Sequence, residues 1–177
     1  MAEGDLSPLA GNVNLRRLVV HNTVRDISPL ASCKALEHLA IRHMRFTDLA
    51  PLASCAALKH VSLHYCPSIT DLAPLASCAA LEHVSLQYCH SVADLAPLAS
   101  CTALRCLELT FAQALSDVSP LAKCTALQRL DLRGAARLRD VSPLASCVAL
   151  QHLELQYCSS LVDLSPLASL PRIVWIR

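Results

Sequence analysis

Asp71 to Ala93 reads DLAPLASCAALEHVSLQYCHSVA, and nearly the same text is written along the whole chain. Its opening, Asp-x-x-Pro-Leu, begins at Asp5, Asp26, Asp48, Asp71, Asp94, Asp117, Asp140 and Asp163, so the spacings run 21, 22 and then 23 five times. A fixed period of this length marks a solenoid, in which each unit buries its apolar face only against its neighbours. The repeats fill residues 1–177 without a linker, which predicts one elongated domain: seven full repeats and a truncated eighth from Asp163. Hydrophobic residues make up 54% of the chain but aromatics only 3%, so the core must be layers of Leu, Ala, Val and Cys.

Within the unit, Val84-Ser85-Leu86-Gln87 alternates with period two, as a strand with one buried face does. Pro74 precedes Leu75 to Leu81, and Pro suits the first helical position because its missing N–H would be unpaired there. Ser stands before Pro in five repeats and is expected to cap the turn; in the other three, Asp48, Asp71 and Asp94 are the nearby acceptors. Each coil therefore predicts a strand, a turn and a short α or 3-10 segment on the opposite side.

The second half of the unit, Leu81-x-x-Val84-x-Leu86-x-x-Cys89-x-x-Val92, resembles a leucine-rich repeat. Repeat two, from Leu36 to Leu52 with Met44 and Phe46 inside it, is similar to the internalin-like and SDS22-like class. The units carrying Cys66, Cys89 and Cys158 resemble the cysteine-containing class, and the mixture looks most like leucine-rich-repeat proteins of trypanosomatids. That resemblance implies a curved, right-handed α/β superhelix with a parallel β-sheet on its concave face and short helical segments on its convex face. It also implies a binding role for the concave face.

Six of the ten cysteines share one repeat position: Cys33, Cys55, Cys78, Cys101, Cys124 and Cys147. Leu170 takes that place in the last repeat, so the column reads as a small buried apolar layer. Cys66, Cys89 and Cys158 share a second interior column with Met44, Ala112 and Ala135. Cys106 falls instead on an outward strand position and is the expected accessible thiol.

Four columns cross the sheet and its exit. The first holds Arg17, His38, His60, His83, Cys106, Arg129, His152 and Trp175; the second, Val19, Ala40, Ser62, Ser85, Glu108, Asp131 and Glu154. In the third stand His21, Arg42, His64, Gln87, Thr110, Arg133 and Gln156. At the strand exit come Asn22, His43, Tyr65, Tyr88, Phe111, Gly134 and Tyr157. Interfaces favour Tyr, Phe and Arg, which offer large rigid areas with a polar handle. The candidate partner-binding residues are thus Tyr65, Tyr88, Phe111, Tyr157, His60, His83, Arg129 and Glu108. The alternative for the rings is closure of the edge of the apolar stack. His38, His60 and His83 on neighbouring strands raise a metal- or pH-responsive module as a second function, set against a ladder of solvated surface histidines. His83 beside Cys106 has the makings of a nucleophile–base pair, with no third group to orient it.

Charge and composition exclude other classes. The net charge is +1 with scattered Lys and Arg, which gives no basic stripe for nucleic acid. Glycine occurs three times, leaving no phosphate-cradling loop, and neither G-x-S-x-G nor H-E-x-x-H is present. The sequence therefore predicts a non-catalytic scaffold for a protein or peptide, with no cofactor and no membrane span. A cytoplasmic setting follows from the lack of a signal-peptide pattern at the start of this text. The final Val174-Trp175-Ile176 reads as an uncovered strand, which suggests end-to-end self-association, a place in a larger assembly or a longer parent chain.

Overall fold

A computed structural model describes residues 4–21, 23–43, 46–168 and 170, with the backbone alone at 169 and over Val174–Ile176. Asn22, Met44 and the side chain of Trp175, placed in columns above, lie outside the described residues. Eight strands run β1 (Arg17–Val20), β2 (His38–Arg42), β3 (His60–His64), β4 (His83–Gln87), β5 (Cys106–Glu108), β6 (Arg129–Asp131), β7 (His152–Glu154) and β8 (Val174–Ile176). They form one open parallel sheet in chain order. On the return side of each coil lies a 3-10 segment; Ala73–Ser77 is typical, and all eight segments are 3-10 rather than α. Five residues or fewer give a 3-10 turn its full length but would leave an α-helix mostly unpaired ends.

Register follows the repeat. His60 pairs with both His38 and His83, and Leu63 with Ile41 and Leu86, so each column of the sequence becomes a row of touching side chains. The last repeat departs from this. Val174 pairs with His152 and Trp175 with Leu153, so Trp175 belongs to the inward register and not to the histidine column. The last repeat is one residue shorter between these strands than its neighbours, and a one-residue change of register exchanges the two faces.

The core is the set of inward columns. Leu30, Leu52, Leu75, Leu98, Leu121 and Leu144 are fully buried, as are Val61, Val84, Leu107, Leu130 and Leu153. Each such side chain contributes about 1.5–3 kcal/mol by leaving water. Both cysteine columns are interior: Cys55, Cys78, Cys101, Cys124 and Cys147 are sealed, and so are Cys66, Cys89, Ala112 and Ala135. The thiols also do what alanine could not. Cys78 Sγ lies 3.4 Å from the carbonyl of Leu52 and Cys147 Sγ 3.3 Å from that of Leu121, so each thiol donates into the 3-10 turn of the preceding coil. Burial pushes the thiols of Cys55, Cys78, Cys101 and Cys147 up to about 11, keeping them protonated and inert.

Capping differs from the expectation that Ser does it. In all eight repeats the Asp Oδ1 accepts the N–H of the segment's first residue, at 2.7–2.9 Å. Ser occupies that first position and Pro the second, so Ser sits too far along to cap. Its hydroxyl donates back to the same Asp in four repeats, as Ser142 does to Asp140 at 2.9 Å. An Asp two residues upstream forms the Asx turn whether Ser or Ala follows.

Candidate functional site

One face of the sheet carries the polar columns, and its middle strands separate into two environments. On β2 to β4 the rings stack. His38 and His60 lie 4.2 Å apart between ring centres with planes 14° apart, and His60 and His83 lie 5.9 Å apart at 24°. Stacked imidazoles point their in-plane lone pairs side by side, not toward a common centre. This triple therefore does not converge on one ion. The Nδ1 atoms of His60 and His64 are buried and accept or donate no hydrogen bond. Burial, followed by His38 and His83 nearby, lowers the pKa of His60; burial lowers that of His64 as well.

At the strand exits a second ring stack runs parallel to the first. Tyr65 stacks on His43 at 5.3 Å and on Tyr88 at 4.7 Å, and Tyr88 stacks on Phe111 at 5.2 Å. His64 meets Tyr65 and Tyr88 edge-on at 4.6 and 5.4 Å, which ties the exit stack to the face. Beyond Phe111 the row is interrupted. A Cβ at Gly134 would stand 2.5 Å from Cδ1 of Phe111, so the ring of Phe111 fills the space a side chain there would need. Tyr157 lies past this break, is 76% exposed and has no ring neighbour among the described residues.

Every described member of this row has left-handed backbone: His43, Tyr65, Tyr88, Phe111 and Tyr157 have φ of 57–63°, and Gly134 has φ of 75°. Such φ values are unusual for bulky residues and cost about 1–2 kcal/mol each relative to ordinary conformations. The need arises because the chain must turn sharply off the strand while its N–H still pairs across, as Tyr65 N–H does to Gln87 and Tyr88 N–H to Thr110. Glycine would meet that need without strain. Rings occupy the row instead. Sequence reading found the ring column but not its backbone; Gly134 within the aromatic column was the available signal.

On β5 to β7 the face is charged, and most of the charge is paired. Asp131 is 2% exposed, accepts from Nε and Nη2 of Arg133, from the Arg133 N–H, and from Oγ1 of Thr110. Glu154 receives Arg129 at 2.7 Å and Arg133 at 3.2 Å. Of the three acids that share a column, Glu108, Asp131 and Glu154, two are thus neutralised by arginines from the neighbouring columns. Glu108 differs: its described hydrogen bond comes from Nε2 of Gln87, at 3.0 Å. In the N-terminal half Arg16 and Lys59 both reach Glu37, at 3.3 and 2.9 Å.

Among the described residues, His83, Cys106 and Glu108 bring one potential ligand atom each to within 4.8 Å of one another. His83 and Cys106 are register partners on β4 and β5. Cys106 is the one cysteine of ten that is not buried, as its outward strand position implied. Its thiol is nevertheless pushed up to about 11, by burial first and then by Glu108. A thiol so held is a poor nucleophile, which weakens the His83–Cys106 pair as a catalytic unit. Of the remaining candidates, Arg129 is exposed and His60 and His83 are half-buried within the ring stack.

Separately, Ser116, Arg137, Arg139 and Ser160 line a shallow hollow of about 360 Å³ on the flank between strand exits and 3-10 segments. No described helix is long and apolar enough to cross a membrane.

No family model matches the chain, and no curated protein matches it in sequence. Solved structures do. Internalin C2 from Listeria monocytogenes is similar with a TM-score of 0.74 at 27% identity, over 92% of this chain and 71% of that one. The leucine-rich repeat domain of the type III effector XopL has a TM-score of 0.70 at 19% identity, over 92% and 69%. A leucine-rich repeat protein of Leptospira interrogans has a TM-score of 0.57 at 13% identity, over 92% and 49%. The architecture of this chain is that of a leucine-rich-repeat solenoid.

Proposed function

We propose that this chain is a non-catalytic scaffold that holds a protein or peptide against the ring-bearing half of its sheet face. The observation that carries this reading is the row His43–Tyr65–Tyr88–Phe111. Four large side chains stack in continuous register on backbone that disfavours them. Core closure would not require rings here, because the interior columns beneath are already sealed by Cys66, Cys89 and Ala112. A run of rigid, half-exposed aromatics with phenol hydroxyls is the surface type in which binding hot spots concentrate. Similarity to internalin C2 and to the XopL repeat domain supports the same direction, since extended repeat surfaces of this kind serve protein recognition.

In this reading Tyr65, Tyr88 and Phe111 are the anchors, and His60 and His83 continue the contact onto the sheet. Arg129 and Glu108 border it and set orientation more than strength. Tyr157, beyond the break at Gly134, forms a separate contact. The mixed repeat pattern resembles that of trypanosomatid leucine-rich-repeat proteins. The test is selection of binding peptides from a displayed library on the intact chain, followed by the Tyr65→Ala, Tyr88→Ala, Phe111→Ala triple variant. Loss of at least about thirtyfold in affinity, the size expected of a hot spot worth 2 kcal/mol, supports the reading. Peptides that bind the variant equally well would remove it.

A further inference from the structure

We propose that His83, Cys106 and Glu108, all half-buried on the sheet face, form a mononuclear site for a borderline-soft divalent cation of the zinc type. The site stands without the partner reading above, although His83 and Glu108 belong to both surfaces. The two strands supply the ligands by simple register: Cys106 lies opposite His83, and Glu108 follows Cys106 by two residues and so returns to the same face. Ser85 is the residue opposite Glu108, a small buried side chain that leaves the carboxylate space beside the His83 strand. Imidazole nitrogen, thiolate sulphur and carboxylate oxygen together are a zinc donor set, and three such ligands leave a fourth position for water or an incoming group.

Comparison with neighbouring strands shows why, among the described residues, this place suits a cation. One step toward the N-terminus, His60 pairs with His83 and Ser62 with Ser85, so serines stand where Glu108 supplies its carboxylate. One step toward the C-terminus, Cys106 meets Arg129, and Asp131 is already held by Arg133. A step further, Arg129 itself neutralises Glu154. Glu108 alone of the three acids in its column has no ion pair among the described residues. Gln87 donates to one of its oxygens at 3.0 Å, an outer contact of the sort that orients a ligating carboxylate. The nine other thiols are buried, so an ion at the surface can reach only Cys106.

Binding has a balanced proton cost. Burial first, and then Glu108, push the thiol up to about 11, with Arg129 opposing, so it carries its hydrogen at neutral pH. The cation takes the sulphur electron pair, the S–H bond breaks, and the proton passes to solvent. One proton is released for each ion bound.

Cobalt(II), a spectroscopic stand-in for zinc, is titrated into the folded full chain with a phosphine reductant. The expected result is a thiolate-to-cobalt charge-transfer band saturating at one equivalent, with about one proton released per ion. Cys106→Ser abolishes the band with an unchanged far-ultraviolet spectrum. Glu108→Gln weakens zinc binding by about tenfold or more, while His38→Gln leaves it unchanged. Absence of the band at a large excess of cobalt overturns the proposal, as does a band that survives in Cys106→Ser, which would assign it to interior thiols. Zinc binding that is equally weakened by His38→Gln also overturns it, because the ion would then sit on the imidazole ladder.

Discussion

The two halves of the sheet share one interior and differ in how the outer face is held. From β2 to β4, Arg42 apart, the outward side chains are mainly stacked rings and small polar groups: histidines on the strands, then His43 and tyrosines at the exits. From β5 to β7 they are charged and paired, with Asp131 and Glu154 locked to Arg129 and Arg133. Beneath both, Leu63 and Leu132 occupy equivalent sealed places, 1% and 0% exposed. A repeat protein can therefore keep its stacking columns constant while its face is rewritten strand by strand. The boundary falls between β4 and β5, where a histidine column gives way to Cys106 and a serine column to Glu108.

If the interior is common property, Leu63→Ala and Leu132→Ala should destabilise alike, each by about 3–5 kcal/mol, because neither site can collapse between two neighbouring coils. Urea unfolding measures this. A difference of more than about 1 kcal/mol between the two would mean that the halves differ inside as well as outside.

The next effect should fall on one half only. Asp131→Ala removes a buried carboxylate that receives hydrogen bonds from Arg133 and Thr110. Arg133 is 36% exposed and keeps Glu154, so the expected loss is about 2–3 kcal/mol, below that for a fully buried pair. Ser85→Ala, one strand back in the same column relative to Glu108, should change stability by less than about 0.5 kcal/mol. Equal losses would show that the charge pairing holds nothing that stacking does not.

A smaller effect, with opposite signs, separates the two tyrosines. Tyr88→Gly relieves left-handed backbone but loses two stacked neighbours, each worth about 0.5–1.5 kcal/mol, so it should be neutral or destabilising. Tyr157→Gly relieves the same backbone and loses no stacked ring among the described residues, so it should stabilise by about 1 kcal/mol. If Tyr157→Gly destabilises instead, its ring is held by something other than stacking.

How far the sequence carries this picture depends on the residue in question. Period and column were readable because Asp, Pro and Leu return at set places, and register in a parallel solenoid follows from period alone. Trp175 shows the limit: the final repeat is one residue shorter, and no marker after Leu170 reveals it. Asp was legible as the acceptor in the three repeats with Ala, but in the other five Ser adjoins Pro and drew the assignment, although Asp serves those turns too. The candidate contact residues were legible as columns, since like residues stack. Pairing between columns was not. Asp131 with Arg133, two residues along the same chain, or Glu108 with the His83–Cys106 pair, depends on how far side chains reach between columns, which period does not encode.

The finest distinction between the halves is in pH. His60 and His64 have folded pKa values lowered from the usual 6.5, mainly by burial, and His60 also feels His38, His83 and Lys59, with Glu82 opposing. A base with a lowered folded pKa binds its proton more readily when unfolded. Its neutral form thus stabilises the fold above pH 6.5, and that contribution is lost as pH falls toward the folded value. Melting temperature should fall between pH 7.5 and 5, and His60→Gln with His64→Gln should flatten the profile. The carboxylates of Asp5, Asp26, Asp140 and Asp163 have lowered pKa values through their bonds to the following Ser, so their contribution is present above 3.8 and lost only in stronger acid. Two separate acid steps are therefore expected, the milder one from β3 and the stronger one from the turns along the chain. If the double His variant keeps the milder step unchanged, the stacked half of the face is as insensitive to protons as the paired half, and the contrast between them reduces to shape.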